Sequence, residues 1–523
     1  MYRLGIDVGG TNTDAVIMHD REVLAGFKAS TTQDVTSGVV EALEGAIGKS
    51  GVDRTKIDKV MIGTTHFTNA VIERKHINPV AAIRLGLPAT ACLPPMVDWP
   101  ADLRVAAGDS GYLVRGGYEF DGREIAPLDE EELDRICDDI NARKIKVASV
   151  SSVFSPINQE MEKTARAHIL RRCPDVSVVL SSDIGRIGLL ERESAAIMNA
   201  SLLALSERTV DAFAEALKSA GLDCAFFITQ NDGTLMGAEM VKRFPVLTFA
   251  SGPTNSMRGA AFLTGERSGI VVDIGGTTTD VGALQHGFPR QAATVVDIGG
   301  VRTNFRMPDV FSVGLGGGSL VRSSDQGDVT VGPQSVGFRI TSEALVFGGD
   351  TLTATDIAVA RGEADIGDAS RVANLDGETT EKARAAITTL LQRAVERSRI
   401  SPEPIPVIAV GGGSILMPDR LADLEVIRPE NFAVANAVGA AIAQISGEVD
   451  RIFSLENGLT REACLKQAED EATQKAVASG AAPATIETIE REDVPLAYLP
   501  GNATRIHVKV VGEMEGANAV AAG

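Results

Sequence analysis

Along the chain, short apolar runs rich in β-branched residues alternate with longer stretches whose apolar positions recur every three to four residues. The first pattern predicts strands, the second helices, and their alternation predicts an α/β fold. Residues 2–8 and 13–18 read as two strands joined by a glycine turn, 34–48 as a helix, and 58–63 (DKVMIG) as a strand ending at GTTHFTNAVIER. Helices are expected over 128–142 and 159–172, with the strand KVASVSSVF (146–154) between them. A long apolar-periodic helix over 191–220 precedes a buried strand, FFITQND (226–232). After SGP (251–253) come a small-residue helix (255–263) and the strand GIVVDIGG (269–276). Residues 380–398 read as helix, PVIAVGGGS (406–414) as strand and glycine turn, and NAVGAAIAQIS (436–446) as a close-packing helix. Beyond residue 447 a charged helix (461–479) and two strand-like runs, ATIETIERED and TRIHVKVVG, suggest a small appended α+β unit, with GANAVAAG frayed at the end.

At 523 residues the chain exceeds one ordinary core. The expected division is 1–182, 183–446 and 447–523. Seventy acidic against fifty basic residues leave a formal charge of −20, which argues against nucleic acid or an anionic membrane as partner. MYRLGIDVGG enters a strand and glycine turn at once, unlike a signal peptide, and no apolar run is long enough to span a bilayer. Five scattered cysteines without a CxxC fit reduced thiols in a cytoplasmic protein.

The strongest signal is internal. IDVGGTNTD (6–14) and VDIGGTTTD (272–280) match at nearly every position, and each follows an apolar strand. A strand ending in Gly-Gly lets backbone N–H groups approach an anion with no Cβ in the way. Gly9, Gly10, Thr11 and Thr13 form one candidate phosphate loop; Gly275, Gly276 and Thr277 form the other. Asp7 and Asp273 would repel phosphate directly but suit a Mg²⁺ held through its own waters, and Asp280 could orient a water or the metal shell. Facing each other, the two loops would grip the phosphates of one ATP. VVDIGG (295–300) lacks the TxTD continuation and reads as a structural hairpin; GAIGKS (45–50) falls at a helix end rather than in a phosphate loop.

With GTTHFTNAVIERK (63–75), LLERESAAIMNASL (189–202), ITQNDGTLM (228–236), FASGPTNSMRGA (249–260), SVGLGGGS (312–319), GGDTLTATDIAVARG (348–362) and AVGGGS (409–414), these loops resemble the hydantoinase/oxoprolinase family, A-subunit type, within the actin, hexokinase and heat-shock chaperone ATPase superfamily. The resemblance spans about residues 3–445. It implies two RNase H-like domains around a nucleotide cleft, with Gly411, Gly412 and Gly413 as the glycine turn near the adenosine and Thr64, Thr65 and Asn69 near the reacting phosphate and substrate. It implies an ATP-dependent hydrolase or carboxylase subunit that phosphorylates the carbonyl oxygen of a cyclic amide such as a hydantoin, oxoproline or lactam, with a B-type partner subunit and an oligomeric assembly. Ile62 stands where many relatives carry His, and His66 lies inside the motif instead.

Other residues are open to two readings. His66 is either a base or oxygen polariser in the cleft or a hydrogen-bonded structural residue. Asp356 either touches metal or substrate or caps a helix; Arg192 suits helix-surface ion pairs; Ser251 suits a helix cap rather than a nucleophile. Two other functions share the fold: a non-catalytic ATPase module of reactivating or chaperone type, and a small-molecule kinase, for which no DxxGR-like signature is present.

Overall fold

Gly9 and Gly275 each close a β-hairpin, their N–H groups donating to the carbonyls of Asn12 at 3.0 Å and Thr278 at 2.9 Å, and each large sheet of the molecule is built around one of these hairpins. The structure is a computed structural model describing residues 1–10, 12–30, 35–292, 295–324, 327–399, 403, 405–455, 459–497 and 502–514. Thr11 and the terminal GANAVAAG lie outside these residues.

In the first core, strands β1 (Tyr2–Val8), β2 (Asn12–His19) and β3 (Glu22–Ser30) form an antiparallel meander, and helix α1 (Val35–Ser50) leads to β4 (Ile57–Thr64), parallel to β1. Leu4, Ile6, Val8, Ala15 and Ile17 are buried in one cluster with Val39, Leu43 and Ala46 of α1. After the short helix α2 (His66–Glu73) the chain builds a separate parallel sheet, β5 (Val80–Leu87), β6 (Ser110–Arg115), β7 (Val147–Ser152) and β8 (Ser177–Leu180), in the order β6-β5-β7-β8. Helices α3 (Glu130–Arg143) and α4 (Glu160–Arg172) share its core. The long helix α5 (Leu189–Ser219) rejoins the first core, to which β9 (Ala225–Thr229) adds parallel to β4 and β10 (Thr234–Gly237) antiparallel to β9.

Helix α6 (Ser251–Thr264) leads to the second core: β11 (Gly269–Ile274), β12 (Thr279–Gln285), β13 (Val310–Val313), helices α7 (Ala354–Ala360) and α8 (Gly377–Ser398), then β14 (Val407–Val410) and β15 (Leu424–Ile427). Strand order and sense repeat the first core: β12 is antiparallel to β11 and β13, while β14 and β15 run parallel to β11. Register repeats as well, pairing Asp7 with Asp14 and Asp273 with Asp280. This is the expected α/β class, with the RNase H-type strand order in both halves.

Helix α9 (Ala435–Ala441) packs on α6, followed by β16 (Gln444–Phe453), α10 (Arg461–Ala478), β17 (Glu487–Pro495) and β18 (Thr504–Gly512). Here the sequence expectations need correction. Helix ends at Ala441, and 444–453 is strand. The last strands form no separate unit: one nine-stranded sheet runs β17-β18-β16-β10-β9-β4-β1-β2-β3. The sheets therefore do not divide at 182/183 or 446/447, because β9, β10 and β16–β18 hydrogen-bond into the sheet begun by β1. The strands β3, β5, β6, β8, β10, β12, β13, β15 and β16 lie outside the strands expected from the sequence.

Contact between α6 and α9 is nearly backbone to backbone. A Cβ on Gly259 would stand 1.8 Å from the Ala435 carbonyl oxygen, and one on Gly439 would stand 1.8 Å from that of Asn255. Glycine is the residue that permits this approach. The crossing fixes how α6, which bears the donors described next, lies against both hairpins.

Candidate functional site

Asp7 and Asp273 end equivalent strands, and adjacent residues of α6 hold them. Asn255 Nδ2 donates to Asp7 Oδ1 at 2.9 Å, and Ser256 Oγ donates to Asp273 Oδ2 at 2.5 Å. Asn436 of α9 donates from Nδ2 to Asp7 Oδ2 at 3.0 Å and to Asp14 Oδ2 at 2.8 Å. Two turns separated by 266 positions in the sequence thus flank one helix, and their carboxylates sense each other electrostatically. Asn255, Ser256 and Asn436 escaped the sequence reading. Their only signal was position, inside SGPTNSMRGA and NAVGAA, since a lone Asn or Ser on a helix announces nothing.

Space for both carboxylates comes from glycine. A Cβ on Gly63 would lie 2.2 Å from Asp7 Oδ1, and one on Gly411 would lie 2.2 Å from Asp273 Oδ1. Gly411 and Gly413 pack against Asp273, Ile274 and Gly275 of the second loop, while Gly412 and Gly276 face open space. The loop at 316–318 rests on the same turn, Gly317 N–H donating to the Gly275 carbonyl at 3.0 Å and Gly318 N–H to that of Gly276 at 2.8 Å; a Cβ on Gly316 would meet Thr277 N at 2.6 Å.

Burial pushes the Asp7 carboxyl up from 3.8 to about 6, an effect that Asn255 and Asn436 oppose and the neighbouring Asp14 and Asp273 reinforce. Burial likewise raises Asp280 to about 6, against the hydrogen bond from Ser312 Oγ at 2.5 Å, and raises Asp273. Lys28 of β3 pairs with Asp14 and eases the charge on Asp273. Crowded, desolvated carboxylates of this kind favour a cation. Among the described residues no cluster of three or more His, Cys, Asp or Glu could hold a metal directly. Two desolvated carboxylates beside a candidate phosphate loop are the donor set that suits Mg²⁺, which takes one or two carboxylates plus phosphate oxygens.

Thr64, Thr65, His66 and Asn69 gather at the end of β4, beside the first loop. Thr65 N–H donates to the Val8 carbonyl at 3.2 Å, Asn69 Nδ2 donates to Thr65 Oγ1 at 3.3 Å, and Asn69 Nδ2 lies 3.9 Å from where a Cβ on Gly10 would stand. Thr13 is buried in β2. His66 Nδ1 is hydrogen-bonded to Thr64 Oγ1 at 2.9 Å, and burial lowers its pKa, so the ring is neutral at pH 7. The first turn of α6 adjoins this group: Ser251 Oγ donates to the Thr64 carbonyl at 3.2 Å, and a Cβ on Gly252 would lie 3.8 Å from Asp7 Oδ2. Ser251 therefore does not cap the helix; Ala250 holds the cap position with φ 58°.

Two more expectations change. Arg192 forms no surface pair: it is 1% exposed and donates to Ser181 Oγ and to the Arg186, Gly188 and Ser152 carbonyls. Asp356 is the third residue of α7, not its N-cap: it accepts from the N–H of the N-cap Thr353 to complete a capping box, and separately from the Val346 N–H. VVDIGG forms a two-stranded hairpin, and GAIGKS closes α1.

The N-terminal-region profile of the hydantoinase/oxoprolinase family matches residues 3–173, and the hydantoinase/oxoprolinase profile matches residues 192–398. Caprolactamase subunit alpha of Pseudomonas jessenii is 28% identical over 468 residues, 84% of this chain and 65% of that protein. The acetophenone carboxylase gamma subunit of Aromatoleum aromaticum is 27% identical over 394 residues, 69% of this chain and 53% of that one. This chain thus spans less than two thirds of the length of either. The crystal structure of ATP-dependent caprolactamase from Pseudomonas jessenii superposes with a TM-score of 0.78 at 19% identity, covering 98% of this chain and 88% of that one. On the two matching profiles, which share one family and follow each other along the chain, this protein is a member of the hydantoinase/oxoprolinase family.

Proposed function

We propose that this chain is the nucleotide-handling subunit of an ATP-dependent enzyme that activates a cyclic amide by phosphorylating its carbonyl oxygen. The observation that carries the reading is the pair of equivalent Asp-x-Gly-Gly hairpins whose aspartates are held by neighbouring residues, Asn255 and Ser256, of one helix. Relatives named as subunits of a caprolactamase and of a carboxylase support it.

In this reading Asp7 and Asp273 would hold Mg²⁺, which would supply neutralisation of phosphate charge. Backbone N–H groups of both loops and of the first turn of α6 face the phosphate oxygens. Thr64, Thr65 and Asn69 orient the amide beside the γ-phosphate. The amide oxygen attacks the γ-phosphorus as the bond to the bridging oxygen breaks, releasing ADP. One water then adds to the activated carbon, and the ring C–N bond breaks as nitrogen takes a proton, leaving an acyl phosphate. A second water frees inorganic phosphate and the carboxylate. The protein's contribution is alignment and charge placement. Neutral His66, with Nδ1 committed to Thr64, offers Nε2 to the amide oxygen or to water.

ADP release measured with a panel of hydantoins, lactams and 5-oxoproline, with and without bicarbonate and a B-type partner, tests this. Substrate-stimulated release supports the enzyme, and dependence on bicarbonate assigns the carboxylase branch. Slow turnover indifferent to every amide and altered only by a protein partner would instead indicate a reactivating module. Phosphate transfer to an added sugar or acid would indicate a kinase.

A further inference from the structure

Helix α6 reaches beyond the aspartates. Two residues past Ser256, Arg258 enters a cavity of about 620 Å³ behind the α6–α9 crossing, lined by both cores and by the end of the extended sheet. Arg258 is only 8% exposed; its guanidinium stacks 3.8 Å from the Phe288 ring and donates to the Gly287 carbonyl at 2.7 Å, yet its buried Nε has no partner. Arg21, stacked on Phe262 at 5.0 Å, and Arg267 line the same cavity without a carboxylate partner among the described residues. Glu266 and Glu487, also lining it, make no direct ion pair among the described residues, although Glu487 acts on the Arg258 charge through space. Arg258 Nη2 also donates to Gln444 Oε1 at 3.3 Å, and Asp232, Glu513 and Glu487 act on its charge through space, but no carboxylate among the described residues pairs with it directly, which leaves a desolvated guanidinium at a cost. Uncommitted charges of both signs, with Phe262 and Phe288 beside them, match a molecule carrying a carboxylate, an ammonium and an alkyl chain.

We propose that this cavity binds a zwitterionic amino acid, the class of product that opening a lactam yields, and that occupancy biases the two cores toward one mutual orientation. The product assignment rests on the function proposed above; the site itself does not. Arg21 belongs to the β2–β3 turn of the first core, Arg267 and Phe288 flank β11 and β12 of the second, and α6 joins this cavity to Asn255 and Ser256. A ligand bridging these groups acts on the helix that holds Asp7 and Asp273.

The test is calorimetric titration of the nucleotide-free full chain with 6-aminohexanoate, using hexanoate and hexylamine as single-charge controls. Saturable binding of the zwitterion is expected, with each control weaker by about tenfold or more, and a loss of about tenfold in both Arg267→Ser and Glu487→Gln. Both residues are exposed and lie away from the aspartates, so basal ADP release should persist in these variants. Absence of binding, equal binding of hexanoate, or binding unchanged in both variants overturns the site. Because no nucleotide is present, these outcomes leave the ADP-release result untouched, and a failed amide panel leaves the binding result standing.

Discussion

Asp7 is where charge and burial conflict most. It is 4% exposed, with a pKa raised from 3.8 to about 6, so between those values the folded chain keeps a proton that the unfolded chain has released. Ionising it in the fold costs stability: the unliganded protein should lose stability as pH rises from 4 to 6, by about 3 kcal/mol from this group, with the full loss present above 6. Thermal unfolding of wild type and Asp7→Asn across that range checks the sign; a difference between them that does not change with pH sinks it. Function needs the ionised form, so kcat/KM for ADP release, which reports the free enzyme, should fall on the acid side of about pH 6 as Asp7 and Asp280 protonate. Asp7→Asn and Asp273→Asn should each reduce turnover by about 100-fold or more, the scale on which single charge-stabilising groups act. Asn255→Ala should shift the acid limb of the pH profile upward, because a donor that favours the Asp7 anion is gone.

Among the elements, the α6–α9 crossing is the most constrained. Gly439→Ala adds a Cβ that would overlap the Asn255 carbonyl, which neither helix can relieve without separating. A loss of about 3 kcal/mol is expected by chemical denaturation, together with weaker nucleotide binding, since Asn255 itself would move. Gly48→Ala makes the control: it lies in α1 with nothing within 4 Å of a Cβ, and should be neutral or slightly stabilising. Elements with one strong period were legible beforehand: β1, β4, α5, α8 and α10 fall within a few residues of expectation. The strand β16 was misread because AIAQIS suits a helix and a buried strand alike, and only pairing with β10 and β18 decides between them.

For the whole molecule, the proposed function requires that a nucleotide bound to both hairpins hold together the two cores that meet at α6 and α9. A non-hydrolysable ATP analogue with Mg²⁺ at about a hundred times its Kd should add about 2.7 kcal/mol of stability, and amide exchange should slow in 7–10 and 273–276 together. Protection of one loop alone would separate the hairpins and defeat the shared-site reading. What the amino-acid order determined by itself is local and periodic: the alternation of strand and helix, the duplicated DxGGTxTD turn, a formal charge of −20, and family membership through its spaced motifs. Tertiary structure alone decided that Asn255, Ser256 and Asn436 grip the aspartates, that Arg192 is buried, and that residues 444–512 complete the first sheet. The physical reason is range. Periodicity and turn chemistry are written in residues a few positions apart, whereas hydrogen bonds to a buried carboxylate and the pairing of sheet edges join residues hundreds of positions apart, whose identities are unremarkable until the chain brings them together.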